Sequence, residues 1–143
     1  MRRLAAALLL APVAALAQSP GLAGLWRTHG DDGKPEAMVR IVDIDGEFRG
    51  QVVSVFSPPA ESPNPRCERC EGELKNQPVV GMTILRGLRR DAEAFSGGTI
   101  LDPDDGNTYR CSARLVDGGR RLEMRGYLGV PLLGRTQVWV RAD

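Results

Sequence analysis

A chain of 143 residues with 19 basic and 18 acidic side chains carries a formal net charge of +1 and has room for one domain. That balance lacks the basic excess that nucleic acid or an anionic membrane surface demands of a partner. With three cysteines and one histidine, the chain is also poorly supplied for a dedicated metal site.

The first segment reads as a leader. Arg2 and Arg3 precede an apolar run from Leu4 to Leu16, broken only by Pro12, and Ala15-Leu16-Ala17 offers a cleavage site after Ala17. The run is shorter than the roughly 20 residues of a membrane-spanning helix, and no cysteine follows it that could carry a lipid anchor. Residues 1–17 are therefore expected to be a signal peptide and residues 18–143 a single exported domain, periplasmic or secreted, without stable membrane insertion. Removing two arginines leaves 17 basic against 18 acidic side chains, a net charge of −1.

Beyond the leader the chain alternates with the period of β-strands between turn signals, and few segments carry a helical period. Gly24-Leu25-Trp26 opens a first strand, and Gly30-Asp31-Asp32-Gly33 is a turn by composition. Ala37 to Ile44 and Phe48 to Phe56 flank Asp45-Gly46, a strong two-residue hairpin signal. Ser57 to Gln77 is different in kind: Pro58, Pro59, Pro63 and Pro65 exclude a central strand, and Cys67 and Cys70 follow. Glu71 to Asn76 has the makings of one short helical turn before Pro78. Val79 to Arg86 is apolar on both faces, as a strand covered on each side would be, and the charged stretch Gly87 to Ala94 reads as a turn. Phe95 to Leu101, Thr108 to Val116, Arg121 to Tyr127 and Arg135 to Arg141 complete a set of about eight strands joined mostly by short turns. The expected fold is all-β, a small antiparallel up-and-down barrel with one long Pro- and Cys-containing loop. Sequential hairpins and seventeen glycines favour a closed, curved sheet over a sandwich.

Four constellations invite a chemical reading. Gly24-x-Trp26 and Arg141 form a structural pair, with an indole across one barrel end and an arginine stacked on it and bonded to strand-end carbonyls. This arrangement is similar to that of lipocalins, in which a first-strand Gly-x-Trp meets a last-strand arginine. Trp139 and Arg141 share a face with Gln137 opposite Val138 and Val140; the face that points inward is open, and with it the polarity of the lumen. Cys67-x-x-Cys70 reads as a local disulfide formed after export; a thioredoxin-type redox pair and a zinc site that borrows Cys111 and His29 are the alternatives. Cys111 is a buried free thiol by default, with pairing to Cys67 or Cys70 the alternative. Asp102-Pro103-Asp104-Asp105-Gly106 lacks the further ligands of a calcium loop and is explained by a turn. His29 beside Asp31 and Asp32 has no nucleophile in a recognisable context. No metal, cofactor or catalytic site is expected, nor an enzyme. Arg86, Arg89, Arg90 and Arg120-Arg121 read as edge and loop charges.

In order along the chain, Gly24-Leu25-Trp26, Asp45-Gly46, Gly50, Cys67-Glu68-Arg69-Cys70, Pro78 to Gly81, Gly97 to Pro103, Gly106 to Tyr109, Arg125 to Gly129 and Gly134 to Arg141 resemble the secreted bacterial family called domain of unknown function 2147. The resemblance implies a lipocalin-like barrel exported to the cell envelope and carries no reaction. The function expected is non-enzymatic binding of a small apolar or amphiphilic ligand, with Cys111, Ala113, Leu122 and Met124 as lumen residues. The alternatives are a protein-interaction module that uses the Cys67–Cys70 loop, and a thiol-disulfide redox protein.

Overall fold

The structure, a computed structural model, describes residues 9–12, 21–56 and 64–143. The cleavage site after Ala17 and the prolines Pro58, Pro59 and Pro63 lie outside them. Eight strands follow in order: β1 Gly24–His29, β2 Pro35–Ile44, β3 Glu47–Val55, β4 Thr83–Asp91, β5 Ala94–Leu101, β6 Thr108–Val116, β7 Arg121–Tyr127 and β8 Arg135–Arg141. Each pairs antiparallel with the next, and β8 returns to β1 to close the barrel. The hairpin signal is realised locally: Asp45 and Gly46 both take positive φ, 53° and 84°, which matches the twist of the flanking strands. Gly46 N–H donates to Asp43 Oδ1 at 2.8 Å across that turn.

Strand alternation sets the two faces. On β6 the side chains of Cys111 and Ala113 are buried while Arg110 and Arg114 are exposed, and Leu122 and Met124 answer them from β7. On β8 the inward face is that of Gln137 and Trp139, with Trp139 1% exposed against 42% for Val138. The open question of the last strand is thereby settled in favour of a largely apolar interior with one amide in it.

One segment departs from the sequence expectation. The strand expected at Val79–Arg86 runs instead over Thr83–Asp91, so most of the stretch read as a charged turn belongs to β4, and only Ala92 and Glu93 turn the chain. Gly87, at φ 69°, supplies the reason. It inserts a bulge, so Leu85 and Leu88, three positions apart, both reach the core with 0% exposure. Arg86, Arg89 and Arg90 take the solvent side, where Arg90 lies 5.0 Å over the Phe95 ring. The same bulge presents Gly87 N–H to Glu47 Oε1 at 3.1 Å, and Arg49 Nε sits 3.3 Å from that oxygen. A charge-rich sequence does not separate a turn from a strand whose outer face meets water.

At the barrel end where β1 begins, Trp26 lies fully buried and donates Nε1–H to Leu22 O at 2.9 Å. The Arg141 guanidinium stacks 4.3 Å from the ring centroid and donates to Gly119 O at 2.9 Å, Ala23 O at 3.1 Å and Gly21 O at 2.5 Å. A stacked, planar donor fork thus satisfies carbonyls that the strand ladder leaves over. Gly24 holds φ 141°, and a Cβ there would lie 2.6 Å from Arg141 Nη1. Above this plug Phe48 and Phe95 meet edge to face at 5.3 Å, and Leu85, Leu88 and Leu122 fill the space between them.

Candidate functional site: the cavity at the open end

The opposite end of the barrel is closed by loops rather than by a plug. The β1–β2 turn is fixed by Gly30 N–H to Lys34 O at 3.0 Å and by Lys34 N–H to Asp32 Oδ1 at 2.9 Å. The β5–β6 loop is built on carboxylates that cap backbone: Asp102 Oδ1 accepts from Asp104 N–H at 2.9 Å, and Asp105 Oδ1 from Asn107 N–H at 2.8 Å. Asp105 Oδ2 also takes the Tyr109 hydroxyl at 2.5 Å. The acidic run is therefore a turn held by its own side chains. Among the described residues no three His, Cys, Asp or Glu side chains converge as metal ligands would.

The described part of the long β3–β4 loop folds back on itself. Arg66 and Pro78 form an isolated bridge, Cys67 N–H donates to Gln77 O at 2.9 Å, and Cys67 and Cys70 form a disulfide with Cα atoms 5.3 Å apart. Gly72–Leu74 make the short helical turn, of the 3-10 type. Gln51 Nε2 anchors the loop to β3 through Gly81 O at 2.8 Å. Gly106 anchors it to the β5–β6 loop: at φ 75° its Cα packs so closely on the Arg69 carbonyl that a Cβ would have no room. Both cysteines are buried, at 0% and 2% exposure.

Beneath these loops lies a cavity of about 460 Å³, inside the ~300–1,000 Å³ span of small-molecule sites. Trp139 and Met124 lie at its base and Val52, Ile84 and Leu101 on its walls. Its mouth is polar, with Asp31, Glu36, Asp102 and Asp104 set against Arg66 and Arg135. Arg135 is committed to Asp31 at 2.8 Å, an ion pair that spans the seam between β1 and β8. There the two strands part, because their ladder holds only Trp26 with Arg141 and Arg27 with Val140. Arg66 Nη1 donates to Asn76 O at 2.9 Å. Partial burial, and then the charges of Asp104, Asp102, Asp32 and Asp31, push the Glu36 carboxyl above its ordinary range. Asp102 is likewise raised, first by burial. The β7–β8 loop at the same end puts Leu128, Val130, Leu132 and Leu133 into solvent.

Of the four side chains expected in the lumen, only Met124 lines this cavity. Cys111, Ala113 and Leu122 are buried below it, because the aromatic pair and the leucines of β4 pack that level solid. Cys111 is a free thiol, apart from the Cys67–Cys70 bridge, and burial pushes it up to about 12, so it is no nucleophile at neutral pH. His29 faces an outer cleft beside Gly30, Arg121 and Val138 rather than the cavity. The sequence does not single out the mouth carboxylates as a set, since they come from two separate turns and from the start of β2. The one available signal was the density of acids in those turns, which local capping explained as well.

These features can be set beside known proteins. A family model described as an uncharacterized protein conserved in bacteria (DUF2147) matches residues 24–141. The chain belongs to this family. Among solved structures it is similar to protein HP1028 from the human pathogen Helicobacter pylori, described as belonging to the lipocalin family. That likeness has a TM-score of 0.74 at 21% identity and covers 86% of this chain and 84% of the other. Among curated proteins none matches the sequence. The DUF2147 chain thus has a lipocalin-like barrel.

Proposed function

We propose that this DUF2147 protein is a non-enzymatic binding protein of the bacterial cell envelope that holds a small amphiphilic ligand at the open end of its barrel. The observation that carries this reading is the cavity, with Trp139 and Met124 at its base and charged groups only at its mouth. Such a division suits a molecule with an apolar body and a polar end. Export is supported by the leader-like sequence before Gln18 and by the Cys67–Cys70 bridge, which suits an oxidising compartment. The burial of both cysteines weighs against exchange chemistry, which needs an accessible sulfur.

The test is titration of a neutral naphthylamine fluorophore into the purified protein, alongside an Ala37→Trp variant. Ala37 lines the cavity, so an indole there would fill it. Enhancement of the fluorophore is expected with the native chain and its loss in the variant, with the same far-UV circular dichroism for both. Equal enhancement in both would place binding elsewhere and sink the reading. Native mass spectrometry of protein taken from the periplasm would then read any co-purifying ligand directly.

A further inference from the structure

The charge at the mouth says more about the ligand than its size does. Four carboxylates line the cavity against two guanidiniums, and both guanidiniums already have partners, Arg135 in Asp31 and Arg66 in the Asn76 carbonyl. Asp105 has its own partners in Tyr109 and Asn107 N–H. Glu36 and Asp104 are the exceptions: among the described residues no cation and no hydrogen-bond donor meets either carboxylate, and the charges that act on Glu36 are those of Asp104, Asp102, Asp32 and Asp31.

Each ligand class meets this mouth differently. An anionic headgroup would bring like charge against these carboxylates and be repelled. A neutral headgroup would leave their mutual repulsion as it stands. A compact metal ion needs ligands that converge, and among the described residues these do not. A monovalent organic cation on an apolar body needs no such convergence. It gains from several carboxylates at once while its body covers Trp139.

We propose that the ligand is a cationic amphiphile, its apolar part seated on Trp139 and Met124 and its ammonium or amidinium group held at the mouth by Glu36 and its neighbours Asp31, Asp102 and Asp104. The inference rests on the binding reading above and narrows the ligand class for that same cavity.

Decylamine, decanol and decanoate share a tail and differ in charge, so displacement of the neutral fluorophore by each at neutral pH and low salt separates the two ideas. The expected order is amine, alcohol, acid, with the amine about tenfold tighter than the alcohol. In a Glu36→Gln/Asp104→Asn variant, chosen because neither side chain holds a hydrogen bond of the fold, the ratio of amine to alcohol affinity should fall to within about twofold. If the three compounds bind alike, or decanoate binds best, the cationic assignment is overturned while the cavity reading stands. A tenfold preference that survives in the variant also overturns it, because the mouth would not be its source. Failure of the fluorophore and all three compounds to bind overturns both.

Discussion

At the end of the barrel where β1 begins, Arg141 commits its guanidinium to three carbonyls and an indole face, whereas at the other end Glu36 faces four carboxylates with no partner among the described residues. At the first end the Trp26 indole and the Arg141 guanidinium have partners, and Trp26 is fully buried. The second sets like charges side by side above a cavity with Trp139 and Met124 at its base. Both ends are built on the same eight strands, and they differ in their loops and in the β1–β8 ladder, which stops short of the open end. One end is held by burial and hydrogen bonding, and the other carries a carboxylate repulsion that a proton or a bound cation would relieve.

The contrast breaks most severely at Trp26. Trp26→Ala removes the largest buried side chain of the closed end and should cost about 3–5 kcal/mol, read as a loss of denaturation midpoint with the slope unchanged. Arg141→Lys keeps the charge but loses the planar fork, and about 1–3 kcal/mol should go with it. A lysine variant as stable as the native chain would mean that charge alone, and not the set of carbonyl bonds, closes this end.

A smaller and more local effect belongs to Gly106. Its left-handed backbone and its contact with the Arg69 carbonyl leave no place for a methyl group, so Gly106→Ala should cost about 1–3 kcal/mol. Hydrogen exchange should show the loss of protection concentrated in residues 64–82, where the Cys67–Cys70 loop leans on this glycine, with the Trp26 end unaltered. Uniform loss across the barrel would mean that the two ends are not independent.

The smallest effect has the opposite sign. The native Glu36 carboxyl titrates above its ordinary 4.5, so between the unfolded and native values the folded state binds more protons. Stability therefore declines as pH rises through that window, and the full penalty stands above it. Glu36→Gln should remove the penalty and raise Tm by about 1–2 °C at neutral pH in the ligand-free protein, with no difference in acid below the ordinary value. A variant that is destabilised at neutral pH would show that Glu36 supports the fold, and the contrast between the ends would lose its meaning.

The barrel itself was legible because its determinants are local. Asp45-Gly46 dictates a hairpin through backbone conformation, the alternation of Thr108 to Val116 dictates a half-buried strand, and Gly24-x-Trp26 with Arg141 marks where the ends meet. Two matters of fold were not legible. The bulge at Gly87 moved β4 by several residues, since a glycine in a charged stretch serves a turn and a bulge equally. The inward face of Gln137 and Trp139 depended on register with β7, which pairs Leu122 with Trp139. The site was hidden for a different reason. Asp31, Asp102 and Asp104 each had a sufficient local explanation as turn residues, Glu36 carried no signal of its own, and Cys111, Ala113 and Leu122 looked as suitable for a lumen as Met124. Seven of the eight strands and the plug could be read from the chain alone, because each follows from neighbours in sequence or from one long-range pair, whereas the cysteine bridge was the leading reading among several. The division of the interior into a solid level and a cavity, and the meeting of Glu36 with the acids of two separate turns at one mouth, came from the assembled barrel. Cavity and field are sums over loops distant in sequence, and no single segment carries either.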